Sequence, residues 1–152
     1  MSDKPFIHIL DSSLRDGSHA LSHQYTAAQV SAVARGLDDA GVEIIEVSHG
    51  DGLRGSTVTY GFSKQSEMEL IQAAAEVIKK SKLAILLLPG IGTKDDLKMA
   101  VDSGAKVADC HPLYRSRYRR AAYRLGEADG HGSDRHAHAV AYGRAGEDRR
   151  TR

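Results

Sequence analysis

Short apolar runs alternate with helically spaced apolar residues over the first 107 positions of the chain. Buried strands are predicted for residues 6–10, 42–47 and 83–88, and residues 105–107 are typical of the start of a fourth strand. Short and nearly continuous apolar runs of this kind suit strands that are covered on both faces of a sheet.

Three helices are predicted between these strands. Thr26, Ser66 and Thr93 are the expected N-caps, because their side-chain oxygens can accept a backbone N–H at a helix start. Apolar residues at helical spacing follow each cap, and Gly41 and Gly104 can end the first and third helices in a left-handed conformation.

The resulting order β-α-β-α-β-α-β predicts an α/β fold with a parallel sheet and right-handed crossovers. Two architectures fit this order: an open doubly wound sheet, or the first half of a closed (β/α)₈ barrel. The chain has 152 residues, and a complete barrel needs roughly 250. In both architectures chemistry lies at the carboxyl ends of the strands, so the residues that follow each strand are the candidates.

The composition of the chain changes near residue 107. Residues 1–107 hold 8 Lys and 3 Arg against 14 acidic residues, a net charge of −3, whereas residues 108–152 hold 10 Arg and 6 acidic residues, a net charge of +4. The second segment has only three large aliphatic residues, Leu113, Leu125 and Val140. Too little apolar surface is available there to offset the ordering entropy of a fold, so we expect a basic, disordered tail.

Several classes of protein are excluded by absences in the sequence. No run of about 18 apolar residues suits a membrane span, and the first residues lack the basic and apolar regions of a secretory signal. Cys110 is the only cysteine, which rules out an internal disulfide framework. A cytoplasmic protein is expected.

Charged residues cluster after the first predicted strand. Asp16 offers a hard oxygen ligand for Mg²⁺ or Mn²⁺, Arg15 offers fixed donors to a carboxylate or an enolate, and His19 can transfer a proton near neutral pH. The alternative is a polar loop in which Arg15 and Asp16 pair with their neighbours.

The second strand contributes a carboxylate within its own length. Glu46 lies in this predicted strand, and a buried carboxylate needs a cationic partner. Arg15 is the expected partner, because neighbouring strands bring their ends side by side. His49, Asp51 and the turn 89–92 are interpreted as glycine-rich turn chemistry, although the turn 89–92 could also bind an anion.

Residues 11–20 resemble the first-strand signature of the pyruvate-type metal-dependent aldolases and their acyl-transferring relatives, which usually reads D-x-T-L-R-D-G. Here Ser13 stands in place of the usual threonine and keeps its hydroxyl. Further segments are similar to one branch of that family, 4-hydroxy-2-oxovalerate aldolase: residues 17–20, 23–25, 45–53, 60–62 and 86–92.

The resemblance implies a (β/α)₈ barrel, a divalent ion that is typically Mn²⁺, and cleavage of 4-hydroxy-2-oxopentanoate to pyruvate and acetaldehyde. It implies that Asp16 is a metal ligand and also belongs to the substrate-binding site. It implies that Arg15 binds the keto acid and stabilises the pyruvate enolate, and that His19 takes the proton from the C4 hydroxyl. Glu46 supports Arg15. An acylating acetaldehyde dehydrogenase is the implied partner. Binding to a nucleic acid or to a membrane is not expected.

The family continues with further metal ligands, including a His-x-His pair, which the tail does not supply. His136 and His138 copy that spacing but come too early and outside any apolar strand. We hypothesise that the tail is the same gene read one base out of frame. Codons chosen for residues 108–118 can, when read from the second base, encode Arg-Ile-Ala-Thr-His-Cys-Thr-Glu-Ala-Asp, which resembles the expected continuation.

A partial barrel that lacks these ligands should bind Mn²⁺ poorly and show little or no aldolase activity. Two alternatives remain open. One is a related acyltransferase of the isopropylmalate-synthase type, and the other is a nucleic-acid or protein binding module that uses the basic, tyrosine-containing segment 114–120.

Overall fold

A computed structural model of the chain describes residues 9–88, 90–110 and 121–124. The strands are β1 (Leu10–Asp11), β2 (Ile44–Glu46), β3 (Lys82–Leu87), β4 (Val107–Cys110) and β5 (Ala121–Arg124). The helices are α1 (Ala27–Asp39), α2 (Glu67–Ala75) and α3 (Lys94–Asp102), and a 3₁₀ helix covers Asp16–Leu21. The α/β alternation predicted from the sequence is confirmed.

The order of the strands separates the two candidate architectures. The sheet runs β1-β2-β3-β4-β5, and the first four strands are parallel. A doubly wound sheet reverses its strand order at a switch point, whereas this order follows the chain throughout. When each strand is added on the same side of the preceding one, right-handed crossovers place all the connecting helices on one face of the sheet. Here α1 packs on α2, and α2 packs on α3. This is the arrangement of consecutive βα units of a barrel.

Each helix begins where the sequence predicted. Thr26, Ser66 and Thr93 are the N-caps of α1, α2 and α3, and each forms a reciprocal capping box with the residue three positions further on. Gly41 adopts a positive φ of 81° immediately after α1, as predicted for a glycine that ends a helix. Helix α2 ends at Ala75, shorter than its apolar pattern indicated.

The hydrophobic core lies between the sheet and the three helices. Four successive residues of β3, 83–86, are buried, as expected for a strand covered on both faces. The helices, the other strands and the loops contribute the remaining core side chains, among them Val30, Ala34, Ile45, Leu70, Ile71, Ala74, Ala100 and Ala108 from helices and strands and Leu14, Val47, Leu53 and Ala105 from loops.

Asp38 ties α1 to the segment that follows α2. This carboxylate is 2% exposed and accepts hydrogen bonds from the backbone N–H groups of Lys79, Lys80 and Ser81 at 2.7–3.1 Å. These bonds, led by the one from Ser81, hold the pKa of Asp38 far below its usual range. The contact fixes the start of β3 against the end of α1.

Strand β5 lies within the segment whose disorder is predicted from the sequence, and that prediction for the segment as a whole stays untested. The four residues of this strand pair antiparallel with β4, with Val107 opposite Arg124 and Cys110 opposite Ala121. The open edge of a parallel sheet presents unpaired backbone groups that another extended segment can satisfy, and this pairing does not depend on an apolar sequence. The rest of the tail, with His136, His138 and the whole of segment 114–120, lies outside the described residues.

The turn after β3 and the first strand were also predicted from the sequence. The turn at 90–92 is a tight turn, in which the N–H groups of Ile91 and Gly92 both bond to the carbonyl of Leu88. The first predicted strand begins at Phe6, outside the described residues, and only its end is seen in β1.

Across the described ranges, none of the helices has the length and apolar character needed to cross a membrane.

Candidate active site at the ends of the first two strands

Arg15 and Glu46 form an ion pair where β1 and β2 end. Parallel pairing sets Asp11 of β1 beside Ile45 of β2, so the residues that follow β1 meet the end of β2. Arg15 Nε donates to Glu46 Oε2 at 2.8 Å, and the two side chains are 11% and 0% exposed. The pairing predicted from strand adjacency is confirmed.

The same guanidinium holds two further acceptors. Arg15 Nη1 donates to Asp16 Oδ1 at 2.9 Å and to the carbonyl of Gly50 at 3.4 Å. The Asp16 side chain is 65% exposed, so this carboxylate is open to solvent beside a fixed cation. Arg15 therefore links the loop after β1 with the loop after β2.

Three histidines lie together next to this pair. The ring centroids of His23 and His49 are 3.8 Å apart in a stacked arrangement, and the His19 ring meets His23 edge-on at 4.8 Å. His23 Nδ1 lies 3.0 Å from the hydroxyl of Ser18. Burial, followed by the nearby His19, lowers the pKa of His23. Sequence reasoning singled out His19 but did not predict this stack.

The hydrogen-bond partners of its two ring nitrogens hold His49 in one tautomer. The backbone N–H of Asp51 donates to Nδ1 at 3.1 Å, so Nδ1 is an acceptor, and Nε2 therefore donates to the carbonyl of Gly61 at 3.0 Å. The ring is 1% exposed, and this burial is the main cause of its lowered pKa. His49 is thus a buried neutral imidazole that braces the stack.

Three glycines make room for the three rings. A Cβ on Gly50 would lie 2.4 Å from His19 Nε2, and one on Gly55 would lie 2.3 Å from His49 Nδ1. A Cβ on Gly61 would lie 3.1 Å from His23 Cδ2. The glycine-rich character of the loop after β2, interpreted from sequence as turn chemistry, therefore also allows close approach of the imidazoles.

One group of side chains in the described part of the chain has the spacing of metal ligands. Ligand atoms of His19, His23 and Asp51 all lie within 4.8 Å of one another. Asp16, the metal ligand that the resemblance implies, is not in that group. Its assignment as a ligand therefore stays a prediction.

Comparison with known proteins identifies the family to which this arrangement belongs. The HMGL-like family profile matches residues 6–144, which is most of the chain. The chain belongs to the HMGL-like family. This is a family of TIM barrels, in agreement with the sequential strand order, and the prediction of a barrel segment is confirmed.

Several proteins with similar sequences are named as 4-hydroxy-2-oxovalerate aldolases. The chain is 64% identical over 101 residues to "4-hydroxy-2-oxovalerate aldolase" of Moorella thermoacetica, covering 66% of this chain and 30% of that protein. It is 59% identical over 101 residues to "4-hydroxy-2-oxovalerate aldolase 6" of Rhodococcus jostii, covering 66% and 28%. With the aldolase of that name from Thermus thermophilus it shares 57% identity over 99 residues, covering 65% and 28%.

The chain therefore matches about three tenths of the length of these relatives. The matched part holds 99 to 101 residues in these three proteins, close to the length that the sequence assigned to the folded part. The boundary near residue 107 and the out-of-frame origin of the tail stay predictions.

Proposed function

We propose that this chain carries the first part of the catalytic apparatus of a 4-hydroxy-2-oxovalerate aldolase, a carbon–carbon lyase. The reaction is the retro-aldol cleavage of 4-hydroxy-2-oxopentanoate to pyruvate and acetaldehyde. The observation that carries the proposal is the Arg15 guanidinium, fixed by buried Glu46 at 2.8 Å and followed within four residues by Asp16 and His19. The names of the similar proteins support the substrate.

Arg15 is proposed to bind the keto acid and to stabilise the enolate of pyruvate. Its Nε is committed to Glu46 and its Nη1 to Asp16 and Gly50. Within the described residues Nη2 makes no hydrogen bond, so its two donors are available for the substrate. A donor that is already oriented stabilises developing negative charge without reorganising during the reaction.

His19 is proposed as the base that accepts the proton from the C4 hydroxyl of the substrate. The residue is exposed and stands at the open end of the histidine stack, against His23. His23 and His49 hold their neutral forms more strongly than free imidazole does, because burial lowers both pKa values. Because His23 is neutral, no like charge on that ring opposes the transfer of the substrate proton to His19.

Asp16 is proposed as a ligand of a divalent ion, Mn²⁺ in our assignment. Its carboxylate is a hard oxygen donor that is 65% exposed, so it fits one ligand position, but a single carboxylate does not make a closed site. When bound, the ion would polarise the keto oxygen where the enolate charge develops. Other ligands would come from segments outside the described residues.

This chain alone is therefore proposed to have little or no aldolase activity. The proposal includes an out-of-frame tail from about residue 108, a cytoplasmic location and an acylating acetaldehyde dehydrogenase as the partner that consumes the aldehyde. Sequencing the coding DNA tests the tail: a one-base shift should restore an aldolase-like continuation, and a DNA sequence in which no shift does so would end that hypothesis.

Pyruvate release from 4-hydroxy-2-oxopentanoate, coupled to lactate dehydrogenase with added Mn²⁺, tests the activity. We expect the Moorella relative to turn over and the 152-residue chain to stay at background. Robust turnover by the chain would refute its proposed inactivity. In the reverse direction, condensation of pyruvate with acetyl-CoA instead of acetaldehyde by the relative would contradict the assigned reaction.

A further inference from the structure

Glu67 is a partly buried carboxylate that the proposed reaction does not use. It is the first residue of α2, and its Oε2 accepts the backbone N–H of Arg54, in the loop after β2, at 2.8 Å. Its Oε1 is buried and makes no hydrogen bond within the described residues. We propose that Glu67 is a positioning residue, which fixes the conformation of the loop 49–55 at the candidate active site.

Gly50 joins this loop to the active site. Its carbonyl accepts a hydrogen bond from Arg15 Nη1 at 3.4 Å, and its backbone lies so close to the His19 ring that a Cβ would be 2.4 Å from Nε2. A displacement of the loop would therefore reach both the cation and the base assigned to the reaction. The inference rests on the proposed function for the roles of these two side chains.

Arg54 is the residue of the loop that most needs an outside partner. Its φ is +63°, a left-handed conformation that is unfavourable for a residue with a Cβ, so the surrounding contacts must maintain it. Asp96, in the first turn of α3, lies 3.7 Å from the Arg54 guanidinium, but the arginine side chain is 63% exposed and this ion pair is weak. The charge-assisted hydrogen bond from the Arg54 backbone to Glu67 is the stronger contact.

The electrostatic surroundings of Glu67 show that its carboxylate faces the loop. Burial raises the pKa of the Glu67 carboxyl group, whereas the backbone N–H groups of Arg54, His49 and Gly55 act in the opposite direction. These three residues include both ends of the loop 49–55. One carboxylate thus interacts with the backbone at the beginning and at the end of an irregular segment, which suits it to fix that segment.

A second role of Glu67 has to be separated from positioning. A carboxylate in the first turn of a helix stabilises the helix through its dipole, whatever it does to a loop. Glu69 is the matched control, because it lies in the same turn and its Oε2 accepts the N–H of Ser66 at 3.1 Å in the capping box. In the described part of the chain this exposed carboxylate has no hydrogen bond to the loop 49–55, so Glu69→Ala should destabilise α2 and leave the loop in place.

Hydrogen exchange of the 152-residue chain at pH 7, followed by NMR, tests the inference without substrate. In Glu67→Ala we expect the amide of Arg54 to exchange at least tenfold faster than in the unmodified chain. Amides of the core strand β3, such as that of Ile85, report global opening and should accelerate by a smaller factor. In Glu69→Ala the rate at Arg54 should rise by no more than the rate at Ile85.

The ring nitrogens of His49 supply a spectroscopic signature that a loss of helix stability does not move. The backbone N–H of Asp51 fixes the tautomer of this ring from within the loop. In Glu67→Ala the two ¹⁵N shifts of His49 should move toward the average of the two tautomers, and in Glu69→Ala they should stay as they are.

Glu67→Gln keeps the test decisive if the alanine variant does not fold. Glutamine preserves the shape and one acceptor, but a neutral acceptor binds backbone N–H groups about half as strongly as a carboxylate. We expect the exchange of Arg54 relative to Ile85 to rise about threefold. The inference is overturned if the folded variants of Glu67 keep the exchange ratio and the His49 shifts of the unmodified chain, or if Glu69→Ala changes them equally.

Kinetics of a chimera test whether the loop matters to the reaction. The folded part of this chain replaces the matching 101 residues of the Moorella thermoacetica relative. Glu67→Ala in it should lower kcat at least tenfold, because displacement of Gly50 moves His19 away from the substrate. KM should stay within about threefold, because Glu46 still fixes Arg15.

Failure of the proposed function and failure of this inference give different results. An inactive parent chimera would contradict the proposed function, and the exchange rates and His49 shifts would still decide the role of Glu67 in the loop. An active chimera whose kcat survives Glu67→Ala would overturn the positioning role and leave the proposed function intact.

Discussion

Arg15 Nε donates to Glu46 Oε2 at 2.8 Å across the ends of the first two parallel strands, and the glutamate is fully buried. The same guanidinium donates to the carboxylate of Asp16, which is 65% exposed. One cation thus serves two carboxylates in opposite surroundings. The buried partner fixes the direction of the guanidinium, and the exposed partner remains open to a ligand.

Glu46→Gln should destabilise the folded part strongly, whereas Asp16→Asn should not. Removing the buried charge of Glu46 leaves the largely buried Arg15 with the exposed Asp16 as its remaining carboxylate contact, and we expect a cost of about 3 kcal/mol in the free energy of unfolding. The exposed Asp16 contact is screened by water, so its loss should change that free energy by less than about 0.5 kcal/mol. Urea unfolding followed by circular dichroism measures both, and equal effects would contradict the assigned roles.

Gly52 and Gly36 should respond in opposite directions to replacement by alanine. Gly52 has a φ of +81°, and a Cβ there would lie 2.7 Å from the carbonyl oxygen of Leu86, so we expect a loss of at least about 2 kcal/mol. Gly36 lies within α1 with nothing within 4 Å of its would-be Cβ, so alanine should stabilise by about 0.5–1 kcal/mol. Thermal melts of the two variants test the pair, and a neutral Gly52→Ala would show that the close contact with β3 is absent.

The stability of the chain should fall as the pH drops below about 6.5. Burial lowers the pKa of His49 and of His23 from the ordinary value of 6.5, so below 6.5 the unfolded chain takes up protons that the folded chain resists. Asp51 and His19 are the charged and titratable neighbours that face these rings. The loss should grow until the pH reaches the lowered values in the fold.

Urea midpoints of metal-free protein between pH 7.5 and 5.5 measure this dependence, and His49→Gln should reduce its slope. The variant itself should be less stable at pH 7.5, because it loses the bond from Nε2 to the Gly61 carbonyl. An unchanged slope in a folded His49→Gln protein would contradict a neutral buried His49.

Asp38→Asn should weaken the fold at neutral pH and make it less sensitive to acid. The ionised carboxylate accepts three backbone N–H groups, and its pKa lies far below the usual range. The stabilisation by Asp38 is therefore fully present when the pH is above the pKa of an aspartate in the unfolded chain. It is lost as the pH falls through the lower pKa of Asp38 in the folded chain. Asp39→Asn, at the exposed neighbour, is the control.

We expect a fall of several degrees in Tm for Asp38→Asn at pH 7 and a flatter loss of Tm toward pH 3 than in the unmodified chain. Asp39→Asn should match the unmodified chain in both respects. If the two variants behaved alike, the contact between Asp38 and residues 79–81 would carry no stabilising interaction.

The elements that could be predicted from the sequence are those fixed by local interactions. The starts of the three helices could be predicted at Thr26, Ser66 and Thr93, because the hydrogen bonds of an N-cap involve only the next three residues. The pairing of Arg15 with Glu46 was also predictable, since adjacent parallel strands end side by side and a buried carboxylate needs a cation. Only the strand order, a long-range property, separated the barrel segment from a doubly wound sheet.

The histidine stack could not be predicted in the same way. It joins His23 from the first loop with His49 from the second, and their approach depends on the conformations of both loops. The positions of glycines 50, 55 and 61 were the available signal, but glycine in a loop usually indicates a turn. Strand β5 was missed because pairing with an open sheet edge uses the backbone and leaves little trace in the composition.

A chimera tests the central claim, that Arg15, Asp16 and His19 belong to a working aldolase site. The folded part of this chain replaces the matching 101 residues of the Moorella thermoacetica relative, and pyruvate release from 4-hydroxy-2-oxopentanoate is measured with Mn²⁺. We predict that the chimera turns over and that Arg15→Ala in it lowers kcat at least a hundredfold. A folded chimera without activity, or one whose rate survives Arg15→Ala, would contradict the account.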